Sequence, residues 1–306
     1  MATTCTFKMF LLNRNIQALL FISLFSICRI EAKSLTNYTT FNNAIDVNTA
    51  SFQGDSMHRL VLIKTIKGDF KDFSIDNLGN LYLIFSTNQI KKLDTNLDSV
   101  AIFNDTKRFG DLYTIDVSNP LKVLVFYKDF ATVLMLDRQL NIKNVIDLRQ
   151  QNIFQVAAIS QSNDNNVWLF DEVEYKLKKI DNYGKLLMET PDFRLLFNDS
   201  HAFIPKYIID NNNLLYLYHQ NVGWKVFDYY GGFKTQYSFP NWTDVSVVDG
   251  FLKGHDQNNF FAERPKDLQS FKFTTNVDLK RAKKILVKQN IYYFLTKDGV
   301  EIYNSL

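Results

Sequence analysis

The sequence predicts an all-β protein, a six-bladed β-propeller of four-stranded blades. The first observation is a repeat, because the strand-turn-strand pattern of Phe73–Asp94 returns in variant forms down the rest of the chain. The second is composition, since 27 Phe and 15 Tyr beside only 5 Pro favour sheet over helix. The third is turn chemistry: Asp, Asn and Gly separate the apolar strands, as hairpins require.

Residues 1–32 are predicted to be a signal peptide that is removed. Lys8 and Arg14 give a basic start, the apolar run Ile16–Cys28 follows, and Ala32 suits cleavage. This run is shorter than the roughly 20 residues needed to span a bilayer. We therefore expect a periplasmic or secreted protein that is not transmembrane after cleavage. Lipid attachment at Cys28 is the alternative, although bulky Ile27 precedes it.

Residues 33–58 read as an extended lead-in, and 59–306 as the propeller. Its repeat units are Lys71–Phe103, Leu112–Leu148, Val156–Glu189, Lys206–Phe239, Val245–Phe273 and Ala282–Leu306. The last unit supplies only three strands, so residues 59–66 (RLVLIKTI) are predicted to complete it and close the ring. A solenoid or a two-sheet sandwich is the alternative, but a sandwich does not explain the period. One helical turn is expected at Asp192–Asn198.

The repeats resemble the secreted six-bladed β-propellers of the NHL and TolB-like superfamily, in particular a poorly characterised group in Bacteroidetes. The resemblance rests on the turn Asp76–Asn80 between two apolar strands and on the third strand ending in Lys91–Asp94, and it covers residues 59–306. It implies the fold. Such propellers serve as interaction platforms, as ligand binders or as metal-dependent hydrolases and lyases, so the resemblance implies no single function.

The functional face of such a propeller is expected where the connections between blades meet the turns between second and third strands. Exposed aromatic residues there would suit protein or glycan contact, and burial against a neighbouring blade is the alternative. His201 and His219 are also predicted on this face, either as partner-binding groups or as ordinary hydrogen-bonded loop residues. The aromatic candidates are Phe109, Tyr175, Trp224 and Trp242.

Motifs for chemistry are absent from the sequence: we find no nucleophile elbow, no phosphate-binding loop and no His pair at metal-ligand spacing. No cofactor is predicted. Calcium in the channel is the alternative, since acidic residues suited to it fall in the same loops. Solvated turn carboxylates would look the same. These residues are Asp111, Asp129, Glu172 and Glu174.

A formal net charge of +3 gives no indication of nucleic-acid binding. The basic run within Lys280–Lys288 could dock an acidic partner or a lipid head group, or could be a solvated loop. We therefore expect an exported, monomeric and non-enzymatic propeller that binds a protein, a ligand or an envelope component. A calcium-dependent hydrolase or lyase of the lactonase kind is the alternative.

Overall fold

The computed structural model describes residues 56–105, 108–197 and 203–306. Their strands form six sheets arranged in a ring, so the predicted all-β, six-bladed propeller is confirmed. The predicted signal peptide, Cys28 and most of the lead-in lie outside the described residues and stay predictions. Within the described part of the chain, we find no helix whose length and apolar character would let it span a lipid bilayer.

The described part of the chain begins with β1 (Ser56–His58) and β2 (Leu60–Lys67), and five blades of four consecutive antiparallel strands follow. Blade 1 contains β3 (Phe70–Ile75), β4 (Leu81–Phe85), β5 (Ile90–Leu93) and β6 (Ser99–Phe103). Blade 2 contains β7 (Thr114–Asp116), β8 (Val123–Tyr127), β9 (Thr132–Leu136) and β10 (Ile142–Asp147). Blade 3 contains β11 (Val156–Gln161), β12 (Val167–Asp171), β13 (Lys176–Ile180) and β14 (Leu186–Glu189).

Blade 4 contains β15 (Tyr207–Asn211), β16 (Leu214–His219), β17 (Gly223–Asp228) and β18 (Phe233–Tyr237). Blade 5 contains β19 (Thr243–Val248), β20 (Phe251–His255), β21 (Phe260–Arg264) and β22 (Gln269–Thr275). Blade 6 contains β23 (Lys284–Lys288), β24 (Ile291–Thr296), β25 (Gly299–Ser305) and, outermost, β2. The short helix α1 (Phe193–Phe197) joins blade 3 to blade 4 where the sequence predicts a helical turn, and 3-10 turns occupy Leu148–Gln151, Pro265–Asp267 and Leu279–Arg281.

The apolar core is divided among the junctions between neighbouring blades. Successive side chains of a strand point to opposite faces, so each sheet offers one apolar face to the blade before it and one to the blade after it. Tyr82 and Ile84 of blade 1 share a buried cluster with Val125 of blade 2. Phe73 lies 6.4 Å, between ring centroids, from Tyr293 of blade 6. The described residues form such a cluster at each of the six junctions.

The repeated Asp-containing turns are hairpin turns, as predicted. Asp76 Oδ1 accepts hydrogen bonds from the backbone N–H groups of Leu78 and Asn80, both at 2.9 Å. Gly79 supplies the positive φ of +84° that this turn requires. The same turn recurs at the end of the third strand in four blades. In each of them an Asp carboxylate oxygen accepts hydrogen bonds from the backbone N–H groups two and four residues later. These residues are Asp94, Asp137, Asp181 and Asp228.

The ring is closed by the N-terminal strand, as predicted. Strand β2 pairs antiparallel with β25 from Leu60 opposite Ser305 to Lys67 opposite Gly299. A Cβ at Gly299, where φ is +138°, would overlap the carbonyl oxygen of Ile66, so only glycine fits at this end of the seam. Blade 6 therefore combines a strand that precedes the first repeat with the three strands of the last one.

The strand β1 is a feature that the sequence did not predict, because Ser56–His58 fell in the expected lead-in. It pairs in parallel with β22, with Ser56 opposite Phe273, and adds a fifth strand to blade 5. The side chain of Asn276 secures the crossing from blade 5 to blade 6. Its Oδ1 accepts from the Leu60 N–H at 2.7 Å, and its Nδ2 donates to the Leu60 carbonyl at 3.1 Å.

Removing the Asn276 amide should weaken closure. We expect Asn276→Ala to lower the free energy of unfolding by about 1–3 kcal/mol, because both backbone groups of Leu60 lose their partner. Denaturant melts monitored by circular dichroism would measure this loss. Asn290→Ala is the control, since Asn290 is exposed on a blade 6 turn and only its backbone carbonyl is bonded there. Equal stability of the two variants would contradict the role given to Asn276.

Candidate functional site

The inner strands β3, β7, β11, β15, β19 and β23 lie side by side around a central channel. Contacts join β7 to β11, β11 to β15, β15 to β19, β19 to β23 and β23 to β3. Because the strands of each blade alternate in direction, the connections between blades and the turns between second and third strands lie at the same end of the ring. We call this end the loop face, and the opposite end, with the other turns, the turn face.

Three of the predicted aromatic contacts are buried rather than exposed at the rim. Phe109 is 7% exposed, Trp224 is 1% and Trp242 is 5%. Trp242 is stacked between Phe239 and Phe261, with ring centroids 5.2 and 5.3 Å away. These side chains fill the junctions between blades, which is the alternative that the sequence left open.

Tyr175 and His219 are half-buried on the loop face. The guanidinium of Arg194 lies over the Tyr175 ring, 4.4 Å from its centroid. His219 Nδ1 accepts the Asn221 N–H at 3.2 Å, and burial lowers the pKa of His219. His201 lies outside the described residues, so its predicted place on this face stays a prediction.

The acidic residues considered as calcium ligands are mostly engaged by lysines. The closest nitrogen-to-oxygen distances are 2.7 Å for Lys71 to Asp111, 2.7 Å for Lys128 to Glu172 and 2.8 Å for Lys178 to Glu174. Hydrogen bonds from these lysines lower the pKa of Asp111 and of Glu174. The backbone carbonyl of Asp129 accepts from Arg149. Across the described residues, we find no group of three or more His, Cys, Asp and Glu arranged to hold a metal ion.

A cavity of about 710 Å³ opens on the loop face between blades 4, 5 and 6. We call it the loop-face cavity. Its wall is mainly polar and charged, and it combines residues from three inter-blade connections with the turns after β16 and β20. The charged and imidazole groups in the wall are Lys206, Asp244, His255, Asp256, Lys280 and Lys283.

Asp244 and His255 form a hydrogen-bonded pair in the wall of this cavity. His255 Nε2 lies 3.0 Å from Asp244 Oδ2, and Nδ1 lies 2.9 Å from the Asp256 carbonyl. Both partners are acceptors, so only the doubly protonated imidazolium can donate to both at once. Asp244 Oδ2 also accepts the Ile285 N–H at 2.7 Å, which ties blade 5 to blade 6.

The hairpin of β19 and β20 brings this pair together. Thr243 is opposite His255 in the register, and a bulge between Thr243 and Ser246 follows. Asp244 lies in this bulge with a φ of +48°, a conformation that Asp tolerates better than most residues. The sequence analysis did not nominate Asp244 or His255. No signal in the sequence indicated them, because the hairpin register and the bulge that bring the two side chains together cannot be read from their spacing.

The basic run near the C-terminus is divided among three environments. Arg281 contacts Glu301 and Tyr303. Lys284 points into the channel, where its Nζ donates to Asp72 at 2.7 Å. Lys280 and Lys283 line the loop-face cavity.

A second cavity of about 820 Å³ occupies the channel and opens toward the turn face. All six inner strands contribute to its wall, which contains Asp116, Gln161 and Asp210. Burial raises the pKa of Asp210, although Tyr229, Asn163 and Trp168 donate hydrogen bonds to its carboxylate. Asp244 lines both cavities, so it lies between the channel and the loop face.

The fold and this face define a β-propeller with a polar, partly charged cavity beside its channel. No family model matches the chain, and no curated protein matches its sequence. Beyond the fold, membership of the NHL and TolB-like superfamily and of the Bacteroidetes group therefore stays a prediction.

Solved propeller structures are similar to this chain. A streptogramin B lyase aligns with a TM-score of 0.52 and 16% identity over 76% of this chain and 78% of its own. An inactive virginiamycin B lyase from Staphylococcus aureus, solved with quinupristin, aligns with a TM-score of 0.57 and 10% identity over 81% and 99%. The Pan2 WD40 domain of Neurospora crassa aligns with a TM-score of 0.54 and 10% identity over 82% and 97%. At these identities the likenesses show the fold alone.

Removing the Asp244 carboxylate should destabilise the junction of blades 5 and 6. We expect Asp244→Ala to lower the free energy of unfolding by about 1–3 kcal/mol, because the Ile285 N–H and the His255 ring lose an acceptor. Asp244→Asn keeps an acceptor and tolerates the positive φ, so its loss should be clearly smaller. Urea melts would compare both variants with Asp98→Ala on an exposed turn. Indistinguishable Ala and Asn variants would rule out the hydrogen-bonding role.

Proposed function

We propose that this chain is an exported, non-enzymatic binding module of the bacterial envelope, and that its loop-face cavity holds the ligand or the contacting group of its partner. The cavity of about 710 Å³ carries the proposal. Its volume falls within the roughly 300–1,000 Å³ common for ligand sites, and three rigid blades support its wall. The N-terminal sequence, with its basic start and short apolar run, supports export.

A lyase or hydrolase is the second candidate. The pair of Asp244 and His255 in the cavity favours it, and two of the similar solved structures are named as lyases. A general base needs an imidazole nitrogen that is free to take a proton. Both nitrogens of His255 are already hydrogen-bonded, to Asp244 and to the Asp256 carbonyl, so this geometry supports binding better than proton transfer.

Filling the cavity should abolish capture of its ligand. We expect Gln257→Trp to reduce retention of an envelope component by the immobilised mature protein at least tenfold, because the new indole occupies the cavity mouth. Cross-linking followed by quantitative mass spectrometry of a bacterial envelope extract would measure retention. Lys185→Trp places the same side chain on the turn face and should behave as the wild type. A component retained equally by both variants would place binding elsewhere.

Calcium distinguishes the binding module from the calcium-dependent enzyme. We expect calcium and EDTA to leave the melting temperature unchanged within about 1 °C, since lysines already engage Asp111, Glu172 and Glu174. Bound ligand stabilises the folded state by mass action, so an occupied site would be visible in this measurement. A calcium-induced rise of several degrees that EDTA reverses would favour the enzyme. Magnesium serves as the control for a general effect of divalent ions.

A further inference from the structure

We propose that the loop-face cavity recognises an oxyanion, a carboxylate or phosphate group carried by a small soluble ligand. The inference rests on the proposed function and gives the chemical class of its ligand. Lys206, Lys280 and Lys283 are the recognising groups, and they reach the cavity from the connections before blade 4 and before blade 6.

The ammonium groups of these lysines are not neutralised by a carboxylate of the wall. Several lysines elsewhere in the propeller are paired in this way, such as Lys71 with Asp111 and Lys128 with Glu172. The Lys206 ammonium lies over the Tyr207 ring, 5.3 Å from its centroid, a contact that leaves its positive charge without a counter-ion. In the described ranges, no carboxylate lies within 4.0 Å of the ammonium of any of the three cavity lysines. Exposed cations around one concave surface, with no carboxylate in direct contact with them, favour an anionic ligand.

The backbone positions of the three lysines are fixed, so that only their flexible stems must be ordered on binding. The Lys206 N–H donates to the Tyr218 carbonyl at 2.8 Å, and the Lys283 N–H donates to the Leu295 carbonyl at 2.7 Å. The Lys280 N–H donates to Asp278 Oδ1 at 3.0 Å, which caps the 3-10 turn before β23. Ordering of side chains and loops adds to the entropic cost of binding, and a fixed backbone limits this contribution to the side chains.

The two carboxylates of the cavity already have partners in its wall. Asp244 accepts from Ile285 and from His255. Asp256 Oδ1 accepts the N–H groups of Asn258 and Asn259, both at 2.7 Å. Burial opposes ionisation of Asp256, but these hydrogen bonds outweigh it and lower the pKa of Asp256. The three lysines outnumber the two aspartates, so cationic side chains are in excess in the wall of the cavity.

The chemistry of the wall sets the ligand class. A lysine ammonium group binds as a point charge and lacks the planar array of donors that an arginine presents. It can therefore bind a carboxylate or a phosphate group. Side-chain amides of Gln220, Asn241 and Gln257 add neutral donors for the remaining oxygens. A concave cavity of about 710 Å³ suits a small molecule better than a flat macromolecular surface.

Titration calorimetry with citrate and with pyrophosphate tests this inference on the mature protein. We expect the wild type to bind at least one of these probes at a single site. The double variant Lys280→Gln/Lys283→Gln should weaken that binding at least tenfold. The matched variant Lys185→Gln/Lys266→Gln removes two exposed turn-face lysines and should bind as the wild type. Unchanged melting temperatures would show that both variants are folded.

The outcomes separate the inference from the proposed function. No binding of either probe by the wild type, or equal weakening in both double variants, would overturn the inference. The proposed function would still stand if Gln257→Trp lost its envelope component. A third arm uses phosphatidylglycerol vesicles: vesicle binding without binding of the soluble probes would assign the lysines to a membrane surface and would also overturn the inference.

Discussion

Closure of the ring by β2 is the constraint on which the rest of the structure depends. None of the blades buries both of its faces alone, so every apolar cluster needs a neighbouring sheet on each side. The seam between β2 and β25 converts an open row of blades into a ring without exposed end faces. Asn276 and Gly299 serve this seam directly, one by securing Leu60 and the other by admitting the Ile66 backbone.

The candidate site inherits its geometry from this closed ring. Its lysines and its aspartate–histidine pair come from three different blades, and no blade contains the cavity by itself. Asp244 connects the cavity to the ring of blades, because its Oδ2 is hydrogen-bonded both to the His255 ring and to the Ile285 N–H of blade 6. Loss of the contact between blades 5 and 6 would therefore disturb the cavity as well as the fold.

Much of the fold could be predicted from the sequence, and much less of the site. The last repeat supplies only three strands, and this count alone indicated that the N-terminal strand completes the blade. The parallel strand β1 was not predicted, because three residues are too few to show the alternation of apolar and polar side chains that indicates a strand. Trp224 lies near the loop face, but it is the second residue of β17, where the pleat directs it into the core. Spacing along the chain also cannot reveal that a hairpin register sets Thr243 opposite His255.

The position of β2 also determines the order in which the molecule can be completed. This strand precedes the repeats of all six blades, yet it pairs with β25, so the pairing spans almost the whole propeller. Contacts of such long sequence separation form late and slow the folding of β-proteins. Until β25 has been synthesised, β2 has no partner strand and the ring cannot close.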